Sequence, residues 1–176
     1  MNHLNIEIKA RCSNQEKIRS ILKAHNAKFV GTDHQIDTYF NVNNGRLKLR
    51  EGIIENNLIY YERENIDGPK QSDVILFSSD SKSSLKQILI KSIGILVVVD
   101  KKREIYWIDN VKFHLDIVEG LGTFVEIEVI AENLSIGRDK LLDQCTHYLK
   151  LFNIDNSDLL STSYSDMLLN MESKLL

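Results

Sequence analysis

Residues 111–131 read VKFHLDIVEGLGTFVEIEVIA. Over Val111–Val118, Phe113, Leu115 and Ile117 alternate with His114 and Asp116. Over Thr123–Ala131, Val125, Ile127 and Val129 alternate with Glu126 and Glu128. A period of two sends successive side chains to opposite faces of a strand. Glu119-Gly120-Leu121-Gly122 supplies the turn that brings the second strand back beside the first. The stretch is therefore an antiparallel pair with one apolar face and one ionic face.

The same texture recurs outward from this hairpin. Residues 4–12 alternate Leu4, Ile6, Ile8 and Ala10 with Asn5, Glu7, Lys9 and Arg11. Asn43-Asn44-Gly45 is a hairpin turn, since Asn and Gly tolerate positive φ. The returning strand, Arg46–Glu51, sets Arg46, Lys48 and Arg50 against Leu47 and Leu49. The long stretch Ile95–Ile108 carries Lys101 and Arg103 in phase with Val99 and Ile105. Shorter strands are expected over Lys28–His34, Ile36–Val42, Leu58–Glu64 and Val74–Phe77. Helices are expected over residues 15–26, 81–93 (capped near Ser81 and closed by Gly94) and 136–152, with a further one or two beyond Ser157. Asp67-Gly68-Pro69, with the only proline, is a loop. About eight strands joined mostly by tight turns make an α+β fold, a meandering antiparallel sheet that can close into a β-barrel with flanking helices.

The 176 residues suit a single domain that needs no disulfide or metal staple, since folding at this size buries roughly 70% of the extended chain's surface. Lys plus Arg is 22 and Asp plus Glu is 25, a formal charge of −3. That balance argues against a nucleic-acid polymer as partner. No apolar run is long enough to cross a bilayer as a helix, the first residues have no secretory pattern, and Cys12 and Cys145 form no CxxC pair. The expected setting is the cytoplasm, away from membranes, with both thiols free and buried. Phosphate-loop, dinucleotide, nucleophile-elbow and zinc-helix motifs are all absent from the sequence.

One charged strand face is ordinarily a solvated surface. Five such faces, with bases and acids segregated by strand, point to a common interior. A closed eight-stranded sheet leaves room for one small ligand. Several Lys and Arg lining it would take a compact polyanion, and Glu7, Asp116, Glu126 and Glu128 would take a hard divalent cation. A triphosphate with its metal satisfies both. His114 alone reads as a paired or packing histidine. One of Tyr60 and Tyr61 must face the charged side.

These residues resemble the CYTH family, the triphosphate tunnel metalloenzymes, and within it the class IV adenylyl cyclase-like branch. The family's first-strand ExExK matches Glu7 and Lys9, with Asn5 at the first Glu. Further similarity lies in Asp37-Thr38-Tyr39-Phe40, Gly45 to Arg50, Leu58 to Arg63, Lys101-Lys102-Arg103, His114-Leu115-Asp116, Glu126-Ile127-Glu128 and Ser163 to Leu168. The ordered set runs over nearly the whole chain. The resemblance implies one tunnel domain over residues 1–176, with C-terminal helices 136–172 packed on an eight-stranded barrel.

It also implies ATP or another triphosphate as substrate, Mg²⁺ or Mn²⁺ as cofactor, and a homodimer whose interface the sequence does not specify. Lys9, Lys48, Arg50, Lys101 and Arg103 would hold phosphates, with Arg63 beside them; Arg11 and Arg46 join the set from the phase of their strands. Glu7, Asp116, Glu126 and Glu128 would serve the metals, and Lys9 is the candidate catalytic base. Asn5 offers one neutral oxygen in place of a carboxylate, which weakens a metal contact. The activity expected first is adenylyl cyclase, ATP to cyclic AMP and diphosphate. The alternatives are a triphosphatase acting on thiamine triphosphate, inorganic triphosphate or a nucleotide, and a binding module that holds a polyphosphate or nucleotide without turnover.

Overall fold

The computed structural model describes residues 2–63, 68–80, 82–131 and 137–174, with side chains from residue 5 onward and without that of Arg63. The order is β1 (Asn2–Arg11), α1 (Gln15–Ala24), β2 (Lys28–Phe40), β3 (Arg46–Glu51), β4 (Asn57–Arg63), β5 (Lys70–Ser78), α2 (Leu85–Ile93), β6 (Ile95–Ile108), β7 (Val111–Val118), β8 (Gly122–Ile130), α3 (Arg138–Leu151) and α4 (Tyr164–Glu172). The strands form one closed antiparallel barrel in the order β1-β5-β4-β3-β2-β6-β7-β8. Closure leaves the sheet without an exposed edge.

The main apolar core lies outside the barrel. Ile6, Ile8 and Ala10 of β1, Phe113 and Leu115 of β7, and Val125, Ile127 and Val129 of β8 point outward. They pack with Ile18 and Leu22 of α1 and with Leu141, Cys145 and Phe152 on or next to α3. Each Ile, Leu, Val or Phe among them, fully buried, stabilises the fold by about 1.5–3 kcal/mol. Because the period is two, the intervening residues of the same strands must point into the barrel. A smaller apolar cluster joins Tyr39, Ile59, Tyr61, Val97, Val99 and Phe124 with Tyr164 of α4.

The Asn-Gly turn forms as expected, with Gly45 at φ +62° and the Tyr60 ring so near that a Cβ there would stand 2.6 Å from its hydroxyl. Two expectations need correction. The segments 28–34 and 36–42 form one strand, β2, because Gln35 is buried inward and paired with Asp33 and Glu55 rather than looping into solvent. β5 is longer than Val74–Phe77, because Lys70 and Ser72 are also buried. The second helix begins at Leu85, and the expected cap at Ser81 lies outside the described residues. Cys12 and Cys145 are buried free thiols.

Candidate active site

A cavity of about 410 Å³ occupies the barrel, within the range of small-ligand sites. Its lining divides into two walls. Six basic side chains (Lys9, Lys48, Arg50, Lys101, Arg103 and Lys112) and five carboxylates (Glu7, Asp37, Glu55, Glu126 and Glu128) come from the strands on one side and the loop before β4. The wall from β4 and β5 is mostly apolar: Ile59 and Tyr61 lie opposite Leu76 and Val74 in register, with Asn57 and Ser72 as its polar members; Trp107 of β6 and Ile130 of β8 also line the cavity.

Asp37 of β2 gathers three of the bases. Its carboxylate takes Lys101 at 2.7 Å, Lys48 at 3.0 Å, and Arg50 through Nε at 2.8 Å and Nη2 at 2.9 Å. Burial works to raise the Asp37 carboxyl, but Arg50, Lys101 and Lys48 together hold it well below the usual carboxylate range. Lys101 is held well below its ordinary value, first by burial and then by Arg50, Arg103 and Lys48, with Asp37 opposing. Three basic side chains crowd on this one carboxylate, and the repulsion among them is relieved when an anion arrives.

A second cluster surrounds Arg103 of β6. Its guanidinium grips Asp116 of β7 with two bonds, 2.7 and 2.6 Å, and reaches Glu126 of β8 at 2.8 Å. Glu126 also takes Lys9 at 2.9 Å and lies 3.1 Å from His114 Nδ1. Burial would raise Glu126, but Lys9 and Arg103 hold it well below the usual range. Burial, with help from Arg103, pushes His114 down to about 3. The neutral ring donates a hydrogen bond from Nδ1–H to the Glu126 carboxylate, and its buried Nε2 has no hydrogen-bond partner among the described residues.

Glu55 enters from the loop before β4. It binds Arg50 at 2.9 Å, Gln35 at 3.0 Å, and Lys112 of β7. Asp33 of β2 fixes that loop by accepting the amides of Ile53 (2.6 Å), Ile54 (3.0 Å) and Glu55 (3.0 Å).

The acidic corner lies between β1 and β8, where Glu7 and Glu128 are register partners. Asn5 donates from Nδ2 to Glu128 at 2.7 Å, and its buried Oδ1 has no partner among the described residues. Burial pushes the Glu128 carboxyl up; Lys112 opposes this, while Glu126, Glu7 and Glu55 add to it. An orphaned buried oxygen beside a carboxylate that resists ionisation is a donor set suited to a hard divalent cation. Glu126 fits that task less well, since its oxygens already meet Lys9, Arg103 and His114. Among the described residues, no three His, Cys, Asp or Glu side chains already stand together as a metal cluster.

The sequence model of the CYTH domain matches residues 3–152. The chain belongs to the CYTH family. A Methanocaldococcus jannaschii protein named "Putative adenylate cyclase MJ0240" is 29% identical over 174 residues, covering 93% of this chain and 98% of its own. The solved structure of the PH1012 protein from Pyrococcus horikoshii OT3 is 27% identical, with a TM-score of 0.73 over 92% of this chain and 98% of its own. HpAC1 from Hippeastrum shares the fold at 16% identity and a TM-score of 0.63, over 99% and 97%. No described helix is long and apolar enough to cross a membrane.

Seen as a CYTH tunnel, the barrel gathers Glu7, Lys9, Lys48, Arg50, Lys101, Arg103, Glu126 and Glu128 around one cavity. It does not gather all of the expected residues there. Arg11 is exposed beside the Phe124 ring, 5.6 Å from its centroid. Arg46 is paired with Asp166 of α4 at 2.9 Å. Asp116 is fully buried behind Arg103 and bonds to that side chain and to the Tyr164 hydroxyl. These three sit where the strands leave the cavity or behind its lining. The side chain of Arg63 lies outside the described residues. Of the two adjacent tyrosines, Tyr61 lines the cavity, and Tyr60 bonds to Glu62 instead.

Asp37, Glu55, Lys112 and Tyr164 were not singled out as site residues from the sequence. Phase alone could have found Lys112, which falls in step with His114 and Asp116. Glu55 sits in a loop, where periodicity carries no signal.

Proposed function

We propose that this chain is a metal-dependent adenylyl cyclase that works as a single tunnel domain over residues 1–176. The ribose 3′-hydroxyl of ATP attacks the α-phosphorus, the bond from that phosphorus to the bridging oxygen breaks, and diphosphate leaves. The observation that carries this reading is the pairing of two walls in one cavity: six basic side chains for the polyphosphate, and an apolar strip, Ile59, Val74 and Leu76, for an organic group. Inorganic triphosphate would leave that strip against water. The name of the Methanocaldococcus relative points the same way.

In this reading Lys48, Arg50 and Lys101 bind the outer phosphates, drawn partly off Asp37 as the polyanion arrives. Arg103 is held in plane by Asp116 and meets charge developing on the transferred group. Glu7 and Glu128, with Asn5 Oδ1, would hold Mg²⁺ or Mn²⁺, while Glu126 keeps Lys9 and Arg103 apart and aimed. The bound cation would neutralise phosphate charge as the leaving oxygen departs. For Lys9 to receive the hydroxyl proton it must first give up its own ammonium proton, which its pairing with Glu126 opposes. Lys101 is the competing base, since its surroundings disfavour its charged form. Two free buried thiols support a reducing compartment such as the cytoplasm.

A triphosphatase is the second reading, favoured by the dominant triphosphatase activity named for the Hippeastrum protein. There water attacks the terminal phosphorus within the same electrostatic frame. Product analysis with ATP, GTP, thiamine triphosphate and inorganic triphosphate, each with Mg²⁺ and with Mn²⁺, tests both. Cyclic AMP and diphosphate from ATP are expected. Orthophosphate without cyclic AMP would establish the triphosphatase, and tight binding without product would leave a binding module.

A further inference from the structure

The chain beyond α3 is strapped onto the barrel before its last helix begins. The Leu160 amide donates to the Lys9 carbonyl at 2.9 Å, and buried Lys70 holds the carbonyls of Leu160 (2.7 Å) and Ser161 (3.0 Å). α4 then opens with a capping box between Ser163 and Asp166, and Asp166 also pairs with Arg46 of β3. The first helical residue after this anchorage is Tyr164, which is buried and lines the cavity.

Tyr164 meets two groups of the charged wall at once. The Lys9 ammonium lies 4.0 Å from its ring centroid, a cation–π contact. Its hydroxyl donates to Asp116 Oδ2 at 2.8 Å. Asp116 in turn takes the two-pronged grip of Arg103, so the hydroxyl fixes the carboxylate plane and the carboxylate fixes the guanidinium plane. Phe124 supports the ring from beside, with centroids 4.9 Å apart. A tyrosine needed only for packing could have given its proton to any acceptor. This one gives it to the carboxylate that orients a tunnel guanidinium, and its ring face carries a tunnel ammonium.

We propose that Tyr164 is a positioning residue, through which the docked C-terminal helix sets Lys9 and Arg103 in the geometry that grips a polyanion. The inference rests on the triphosphate reading for its consequence, though not for its geometry. The test uses the full chain with Tyr164→Phe and Tyr164→Leu.

In the ligand-free protein, ¹⁵N NMR reads Lys9 Nζ and Arg103 Nε directly. Calorimetric titration with inorganic triphosphate and Mg²⁺ reads the consequence. Tyr164→Phe should keep the ring-current shift at Lys9, lose solvent protection at the Arg103 Nε–H, and bind triphosphate about tenfold more weakly, the worth of one charged hydrogen bond. Adding Asp116→Asn to Tyr164→Phe should cost little more than Asp116→Asn alone, because the hydroxyl acts through that carboxylate. Tyr164→Leu should move both NMR signals. An unchanged Arg103 signal in Tyr164→Phe, an unchanged Lys9 signal in a folded Tyr164→Leu, or fully additive losses in the double variant would overturn the proposal. Should the parent protein bind no triphosphate, the substrate reading falls, and the NMR signals still decide the positioning role. Tyr164→Phe preserves the packing volume, so a failure of Tyr164→Leu to fold leaves the decision with it.

Discussion

Asn5 and Glu128 are joined by a 2.7 Å hydrogen bond across the seam of β1 and β8, next to Glu7. An amide here lets three side chains share a buried corner without a third negative charge. Asn5→Glu would supply that charge. The metal-free variant should lose about 1–3 kcal/mol through like-charge burial. Its melting temperature should rise more on adding Mn²⁺ than that of the parent. Thermal unfolding with and without Mn²⁺ checks both; an equal Mn²⁺ response would show that Asn5 is no part of a metal corner.

Glu128 carries the opposite strain. Its folded carboxyl titrates above the ordinary value, so the native state holds a proton longer than the unfolded chain. That contribution is present at low pH and is lost as pH rises from the unfolded value through the folded one. Glu128→Gln should therefore stabilise the metal-free protein at pH 7 and remove the stabilisation that Mg²⁺ or Mn²⁺ gives. Denaturant unfolding of both forms at pH 5 and pH 7 provides the measurement.

Asp37 stands between Lys48, Arg50 and Lys101. Asp37→Asn removes the carboxylate that Lys48, Arg50 and Lys101 share and leaves, among the described residues, only Glu55 on Arg50, at a cost of about 3–5 kcal/mol. Inorganic triphosphate should restore more stability to this variant than to the parent, because the polyanion replaces the lost carboxylate. Arg50→Ala should instead weaken triphosphate binding by about tenfold or more. Melting curves over a triphosphate series separate the two effects.

His114 is neutral in the folded tunnel, with its pKa pushed down to about 3, while the unfolded chain takes up a proton near its ordinary value of 6.5. Unfolding thus binds a proton below that value, and stability must fall as the pH drops from 6.5. One such group contributes a slope of about 1.4 kcal/mol per pH unit well inside that window. His114→Asn in the metal-free protein should flatten the stability profile between pH 6 and pH 4.5. An unchanged slope would mean that another group takes up the proton.

Gly52 packs directly under Asp33, where a Cβ would stand 2.5 Å from Oδ2. Gly52→Ala should push Asp33 off the amides of residues 53–55, costing about 1–3 kcal/mol. Because that loop delivers Glu55 to Arg50 and Lys112, triphosphate affinity should change as well. A variant with lowered stability and unaltered affinity would show that Glu55 holds its place without the loop.

Most of the barrel was legible in the sequence because period two is unambiguous where an apolar face meets helices, as on β1, β7 and β8. The hairpin glycines placed the turns for the same local reason. β2 was misread as two strands at Gln35, since a polar residue facing a filled lumen looks the same, in one sequence, as one facing solvent. Lys48, Arg50, Lys101 and Arg103 were legible because phase alone sends them inward. Arg11 and Arg46 shared that phase but lie at strand ends, where the barrel's tilt carries them out of the cavity. Asp37 stands in the Asp37-Thr38-Tyr39-Phe40 similarity, yet a single acid in step with Gln35 and Tyr39 shows no role until three bases are folded around it. Tyr164 depends on how the chain after α3 is strapped down, which no spacing encodes.

Along β1, β7 and β8 the wall of this barrel is a single residue thick, with oil on the outer side and ions on the inner. Insertion or deletion of one residue within β8 would turn Glu126 and Glu128 into the helix-packing face, and Ile127 and Val129 into the lumen. Drift in such a protein must therefore proceed by exchange of side chains in place. Specificity can be rewritten from the inside while the packing that holds the molecule together stays untouched.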